Sequence, residues 1–132
     1  MRQGVYFQSG NASALQTIGA RPTLSSDGVD ITSWSTAGGG GPIAAACLID
    51  GSAGATIASP TGGTAGPEVW AYILAQWYLV GYLNNGVTIP IDGDTQGFAT
   101  QLSGIGIATR LYVAGTVSAG TATAKYVPME VA

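Results

Sequence analysis

Glycine does most to limit what this chain can fold into. Twenty-one glycines are distributed through its 132 residues, interleaved with short runs rich in valine, isoleucine, threonine and aromatic side chains. That pattern suits many short strands joined by tight turns. The clearest period-two runs are residues 97–102, 110–117 and 121–127, separated by Ser103-Gly104 and Ser118-Ala119-Gly120. The amino-terminal half adds candidate strands at residues 4–8, 14–18, 29–34, 43–50 and 55–58. About nine or ten strands with turn residues at short spacing predict an all-β antiparallel sandwich or barrel rather than βαβ units. The length is that of a single domain, residues 1–132, large enough to bury one core without disulfide or metal support.

Two segments carry the detailed predictions. Asn84-Asn85-Gly86 lies between residues 77–83 and 87–91, and an Asn-Gly pair supplies the positive φ angles of a two-residue hairpin. Pro90 lacks a backbone donor and places the second of these strands at a sheet edge or beside an irregularity. Residues 67–83 could instead be bounded as a helix, by Pro67-Glu68 at one end and Asn85-Gly86 at the other. Their content of Val69, Trp70, Tyr72, Trp77, Tyr78, Val80 and Tyr82 favours a strand pair interrupted near Ala75-Gln76, because a helix built from them would be apolar on every side.

The chemistry-bearing residues are sparse. There is no histidine, one cysteine, four basic and seven acidic residues, so the groups that shuttle protons, attack carbonyls and ligate metals are few and scattered. No basic cluster is present, which argues against nucleic acid as a partner. Cys47 sits in an aliphatic run without a basic neighbour and is expected to be an inert core thiol. The strongest apolar stretch, residues 69–83, is too short to cross a bilayer as a helix. Residues 1–8 lack an apolar export core, so no secretory route and no membrane partner is expected. A charged fraction of 8% is far below the roughly 25% of ordinary soluble domains, and points to a surface partly covered in an assembly.

Each candidate site has a plainer structural reading. Asp92-Gly93-Asp94 with Thr95 and Gln96 could offer oxygens to calcium, but lacks the remaining ligands of a loop site and reads as a polar turn. Glu68 paired with Asp50, Asp92 or Asp94 could in principle frame a glycosidase cleft, while Asp27 and Asp30 read as turn or capping residues. No catalytic residue, cofactor or metal is assigned. Trp34, Trp70 and Trp77, with six tyrosines, could form a sugar-stacking face, although core and interface burial accounts for them as well. In a regular strand Tyr78 and Tyr82 would lie opposite Trp77 and Leu79, leaving one aromatic face to be covered from outside the core by a partner subunit. Gly38 to Gly41 read as a linker between strands, and residues 59–67 as an exposed loop.

Three runs carry a family resemblance: Gly28-Val29-Asp30-Ile31-Thr32-Ser33-Trp34, residues 76–86 beginning Gln76-Trp77-Tyr78, and residues 110–124 beginning Arg110-Leu111-Tyr112. Their strand-turn-strand cadence with Trp and Gly landmarks resembles the small β-sandwich virion structural proteins of tailed bacteriophages, over residues 28–127. The resemblance implies a jelly-roll-like sandwich and a non-enzymatic role in the virion, foremost as a capsid decoration or cement protein that stabilises the head through subunit contacts. A neck or tail component is the neighbouring alternative, and a carbohydrate-binding module the alternative from another class. The expected partners are the major capsid protein or other virion proteins and further copies of the chain, with a trimer as the expected homo-oligomer, made in the host cytoplasm and carried in the particle. Val5, Tyr6 and Phe7, in a possible amino-terminal arm of residues 1–10 that pairs with a neighbour, are candidate partner-binding residues together with Tyr78 and Tyr82.

Overall fold

The computed structural model describes residues 5–7, 13–32, 44–83, 89–90, 98–103 and 108–131. Among these, twelve strands run in chain order: β1 (Val5–Phe7), β2 (Gln16–Thr17), β3 (Val29–Asp30), β4 (Ala44–Gly51), β5 (Thr56–Ala58), β6 (Glu68–Ile73), β7 (Gln76–Tyr82), β8 (Ile89–Pro90), β9 (Phe98–Ser103), β10 (Arg110–Ala114), β11 (Thr116–Ser118) and β12 (Ala122–Val131). They form antiparallel sheets with essentially no helix. One sheet has the order β1-β12-β4-β9 with β2 also on β12, a second the order β3-β10-β6-β7, and a third the order β11-β5-β8. No helix among the described residues is long and apolar enough to cross a membrane.

All three sheets contribute to one core. Cys47, Ile49, Ala122, Ala124 and Tyr126 enter it from the first sheet, Val29, Val69, Ala71, Leu111 and Val113 from the second, and Ile57 from the third. Residues 122, 124 and 126 show the two-residue period of a strand with one buried face. Cys47 is completely buried, and burial pushes its thiol well above the ordinary range, as expected for an inert core cysteine.

The expected run 110–117 is divided, while residues 67–83 form the expected strand pair interrupted next to Ala75-Gln76. Residues 110–117 break at Gly115, where the chain leaves β10 in one sheet for β11 in another. A Cβ at Gly115 would lie 2.6 Å from Cγ2 of Ile57 and 3.0 Å from the carbonyl oxygen of Ala58, so only glycine allows this close crossing. Residues 68–82 break at Leu74-Ala75, which join β6 to β7 with φ of 50° and 64°. Both central residues have positive φ, as a tight hairpin turn requires, yet neither is a turn former, and strain of order 1 kcal/mol or more per residue is stored there.

The expected hairpin around Asn84-Asn85-Gly86 is corrected. Its turn, residues 84–88, lies outside the described residues, and among the described residues its two strands do not pair: β7 pairs with β6, whereas β8 pairs with β5 through Thr56↔Pro90 and Ile57↔Ile89. Among the described residues Pro90 lies on an edge strand, as its missing donor demands. Val5–Phe7 pairs with Val131 to Met129 of its own chain.

A seam closes the first sheet onto the second. Gln16 pairs with Ala124 in β12, and Ile18 donates its N–H to the Ala122 carbonyl at 2.9 Å. On the other side, Gln16 Nε2 donates to the Val113 carbonyl at 2.9 Å and its Oε1 accepts from the Val113 N–H at 2.9 Å and from the Tyr126 hydroxyl. The side-chain amide thus stands in for a missing strand along β10. Three residues after Gln16, Gly19 bridges Ala114, and the Gly115 N–H donates to the Gly19 carbonyl at 2.9 Å. Replacing Gln16 by Glu keeps the shape but removes the donor to Val113 and buries a carboxylate. The expected loss is about 3 kcal/mol or more, read as a lower urea midpoint at unchanged slope; an unaltered midpoint would show that the seam does not hold the sheets.

Candidate functional site

Glu68, Trp70, Tyr72, Trp77, Tyr82, Arg110 and Tyr112 gather on the outer face of the second sheet. Cross-strand partners share a face, and the pairs Trp70↔Tyr112, Tyr72↔Arg110, Tyr72↔Trp77, Trp70↔Leu79 and Glu68↔Tyr82 place these side chains together. Ring packing agrees: Trp77 lies 5.1 Å from Tyr72 and 6.1 Å from Tyr112 between centroids.

This arrangement corrects the expected division of β7. The register shifts between Val69 and Trp70, so that Val69 opposes Gly81 and Trp70 opposes Leu79, leaving Val80 as an extra residue. A bulge of this kind reverses the alternation beyond it. Tyr82 therefore shares the face of Trp77 and Leu79, while Tyr78, opposite Ala71, points to the other side.

The cover for this face comes largely from the chain itself. The segment between β2 and β3 crosses it as a strap over residues 19–28. The Tyr112 hydroxyl donates to the Ala20 carbonyl at 2.6 Å, and Trp77 Nε1 donates to the Leu24 carbonyl at 2.9 Å. Arg110 donates to the carbonyls of Asp27, Ser26 and Gly28 at 2.7, 3.0 and 3.1 Å. Asp27 in turn accepts the N–H groups of Leu24 and Thr23, both at 2.8 Å, and these bonds hold its carboxyl below the usual range.

Arg21 fastens the strap at its centre. Its Nε donates to Oε1 of Glu68 at 2.8 Å and its Nη2 to Oε2 at 2.7 Å. Glu68 is 1% exposed and Arg21 37%. Trp70 Nε1 donates to Oε1 of Glu68 at 3.0 Å, and the guanidinium carbon lies 5.6 Å from the Trp70 ring centroid. A forked guanidinium over a planar carboxylate is the geometry in which such pairs are strongest. The loop at residues 59–67 closes over the pair. It is exposed at Thr61, Gly62, Thr64 and Ala65 but buries Pro60, Gly66 and Pro67, and the Gly66 N–H donates to Ser59 Oγ at 2.7 Å. A Cβ at Gly63 would stand 2.5 Å from Oε2 of Glu68, so glycine is needed for the loop to lie this close.

The functional candidates are thereby resolved into distinct places. Glu68 is an ion held by Arg21, and the Arg21 hydrogen bonds keep its carboxyl below the usual range against the opposing effect of burial. Asp92 and Asp94, and with them the possible calcium turn, lie outside the described residues, as do Trp34 and Gly38 to Gly41. Among the described residues no group of three His, Cys, Asp or Glu side chains could hold a metal ion. Val5, Tyr6 and Phe7 belong to the first sheet and Tyr78 and Tyr82 to the second, so the candidate partner residues do not form a single strand edge.

Among the described residues the fold leaves uncovered an apolar strip along β7 and its turn, and, apart from it, Leu15. Leu74 is 91% exposed, Tyr78 45% and Tyr82 46%, with Leu79 and Val80 also exposed; Leu24, on the strap beside Trp77, is exposed too. No charged residue occurs from Val69 to Ile91. No protein-family model matches the chain, and no curated protein or solved structure matches it.

The Glu68 pair sets an acid limit on stability. A carboxyl whose folded pKa is lowered contributes stability that is fully present above its unfolded value, about 4.3 for Glu, and lost as pH falls through the folded value. The free energy of unfolding should therefore be level above pH ~4.3 and fall below it. Glu68→Gln should show a shallower fall, with Asp27 and Asp30, both also lowered, carrying the rest. Equal pH dependence of the urea-derived free energies of unfolding in the two proteins would show that the ion pair is not formed.

Proposed function

We propose that this protein is a non-enzymatic structural component of a tailed-phage virion, foremost a capsid decoration or cement protein, whose antiparallel sheets close as a jelly-roll-like sandwich. The observation that carries the reading is the uncharged apolar strip from Leu74 to Tyr82, exposed on an edge strand of a chain that commits its other reactive groups inward. The resemblance of residues 28–127 to small virion sandwich proteins supplies the class. Burial of such a strip at subunit seams, at roughly 25 cal/mol per Å² before the costs of association, is the source of binding energy. Many copies on one particle turn a modest contact into strong reinforcement.

The site favours this reading over a sugar-binding module or a hydrolase. A sugar platform needs an open indole face, whereas Trp70 lies under Arg21 and both described indole N–H groups are bonded inside the chain. A general acid needs a proton near neutral pH, and Glu68 is held as the anion.

Phage heads assembled without the protein are the direct test. Incubation followed by sedimentation should recover it with the heads at high copy number, in a saturable manner. Protein left entirely in the supernatant would remove the head-decoration role.

A further inference from the structure

We propose that β7 is a homotypic docking edge, on which a second copy of this chain pairs antiparallel about a two-fold axis at Tyr78. The inference rests on reading the β7 strip as an assembly surface, but not on the identity of the particle.

The backbone fixes which groups are available. Gln16 occupies the N–H and C=O of Val113, so Val113 faces away from β6, and Arg110 and Tyr112 face towards it. Their partners Trp70 and Tyr72 consequently face β10, in agreement with the Thr109 N–H donating to the Tyr72 carbonyl at 2.9 Å. Val69, Ala71 and Ile73 then face β7, where Tyr78 bonds to Ala71 and Gln76 to Ile73. By the alternation of an antiparallel ladder, Trp77 and Leu79 direct their N–H and C=O groups to the outer edge, which has no partner strand among the described residues.

A single register uses those groups and the exposed side chains together. Pairing Trp77 with Leu79 of the second copy, and Leu79 with its Trp77, gives four backbone hydrogen bonds. Tyr78 then faces its own counterpart across the axis in a close, non-hydrogen-bonded position. The exposed Tyr78 and Leu79 are thus covered by the second copy. A two-fold contact sets a residue on its axis against its own copy, so a charge near the axis would repel its counterpart. Across Gln76–Tyr82 there is none, whereas protected edge strands commonly carry lysine or proline. The bulge at Val80 ends the ladder and keeps the contact short. Such a contact makes pairs; a trimer would need a different surface.

The test uses the full chain and three measurements. Sedimentation equilibrium should give a reversible monomer–dimer equilibrium. Tyr78→Lys and Tyr78→Glu should each be monomeric with wild-type circular dichroism, and should associate one to one when mixed. Tyr78→Cys should cross-link under mild oxidation at least tenfold faster than Leu15→Cys, an exposed control on β2's flank, because paired Cα atoms in this position lie about 4.5 Å apart; Cys47 is buried and does not compete. Wild-type protein that stays monomeric at ~100 μM, or equal cross-linking at the two positions, would overturn the proposal. Monomeric protein that still binds heads would overturn the dimer and leave the virion reading standing. A dimer that ignores heads would uphold the dimer and remove the head role.

Discussion

The rest of the structure depends on one side chain, the amide of Gln16. The first and second sheets meet where β3 has ended and β10 still has two backbone groups to satisfy at Val113. Gln16 supplies both a donor and an acceptor there, while its own backbone pairs with β12. It also accepts the hydroxyl of Tyr126, the largest fully buried side chain. Buried polar groups cost little when every one is paired and a great deal when one is not, so this single amide fixes how the two sheets close. It also determines where the following residues go, because Gly19 is bridged to Ala114 and the chain must then cross the outer face of the second sheet.

That crossing explains how a chain with so few charged residues uses them. Arg21, Glu68, Arg110 and Asp27 all serve to hold the strap against the sheet, by a forked ion pair at one point and by carbonyl contacts at another. Trp70, Trp77 and Tyr112 give their polar atoms to the same purpose. The aromatic face that seemed from the sequence to require a partner is thus largely roofed by the chain itself. The demand for outside cover moves to the neighbouring edge, β7, where the strap ends and the strip from Leu74 to Tyr82 begins.

The strands were legible because their signals are local. Alternation in residues 122–127 and the aliphatic run ahead of Asp50 mark β12 and β4, and Pro90 marks an edge. The turn at Leu74-Ala75 was legible only as an interruption, because neither residue belongs to the turn-forming set. Asn84-Asn85-Gly86 is a strong local hairpin signal, but the choice of partner for β8 is made by tertiary pairing with β5. The bulge at Val80 has no composition signal, and it alone moves Tyr82 to the other face. Arg21 and Glu68 lie 47 positions apart, and Gln16 and Val113 lie 97 apart. Contacts at such separations exist only once the sheets have closed, and no spacing in a single sequence announces them.

Hydrogen exchange resolved to single amides is the most direct test that β7 is the assembly edge. Tyr78 bonds to β6 in the isolated chain and should be protected at every concentration. Trp77 and Leu79 should exchange rapidly in dilute solution and become protected as concentration rises. Rapid exchange at both positions at all concentrations, or protection already complete at high dilution, would contradict the account.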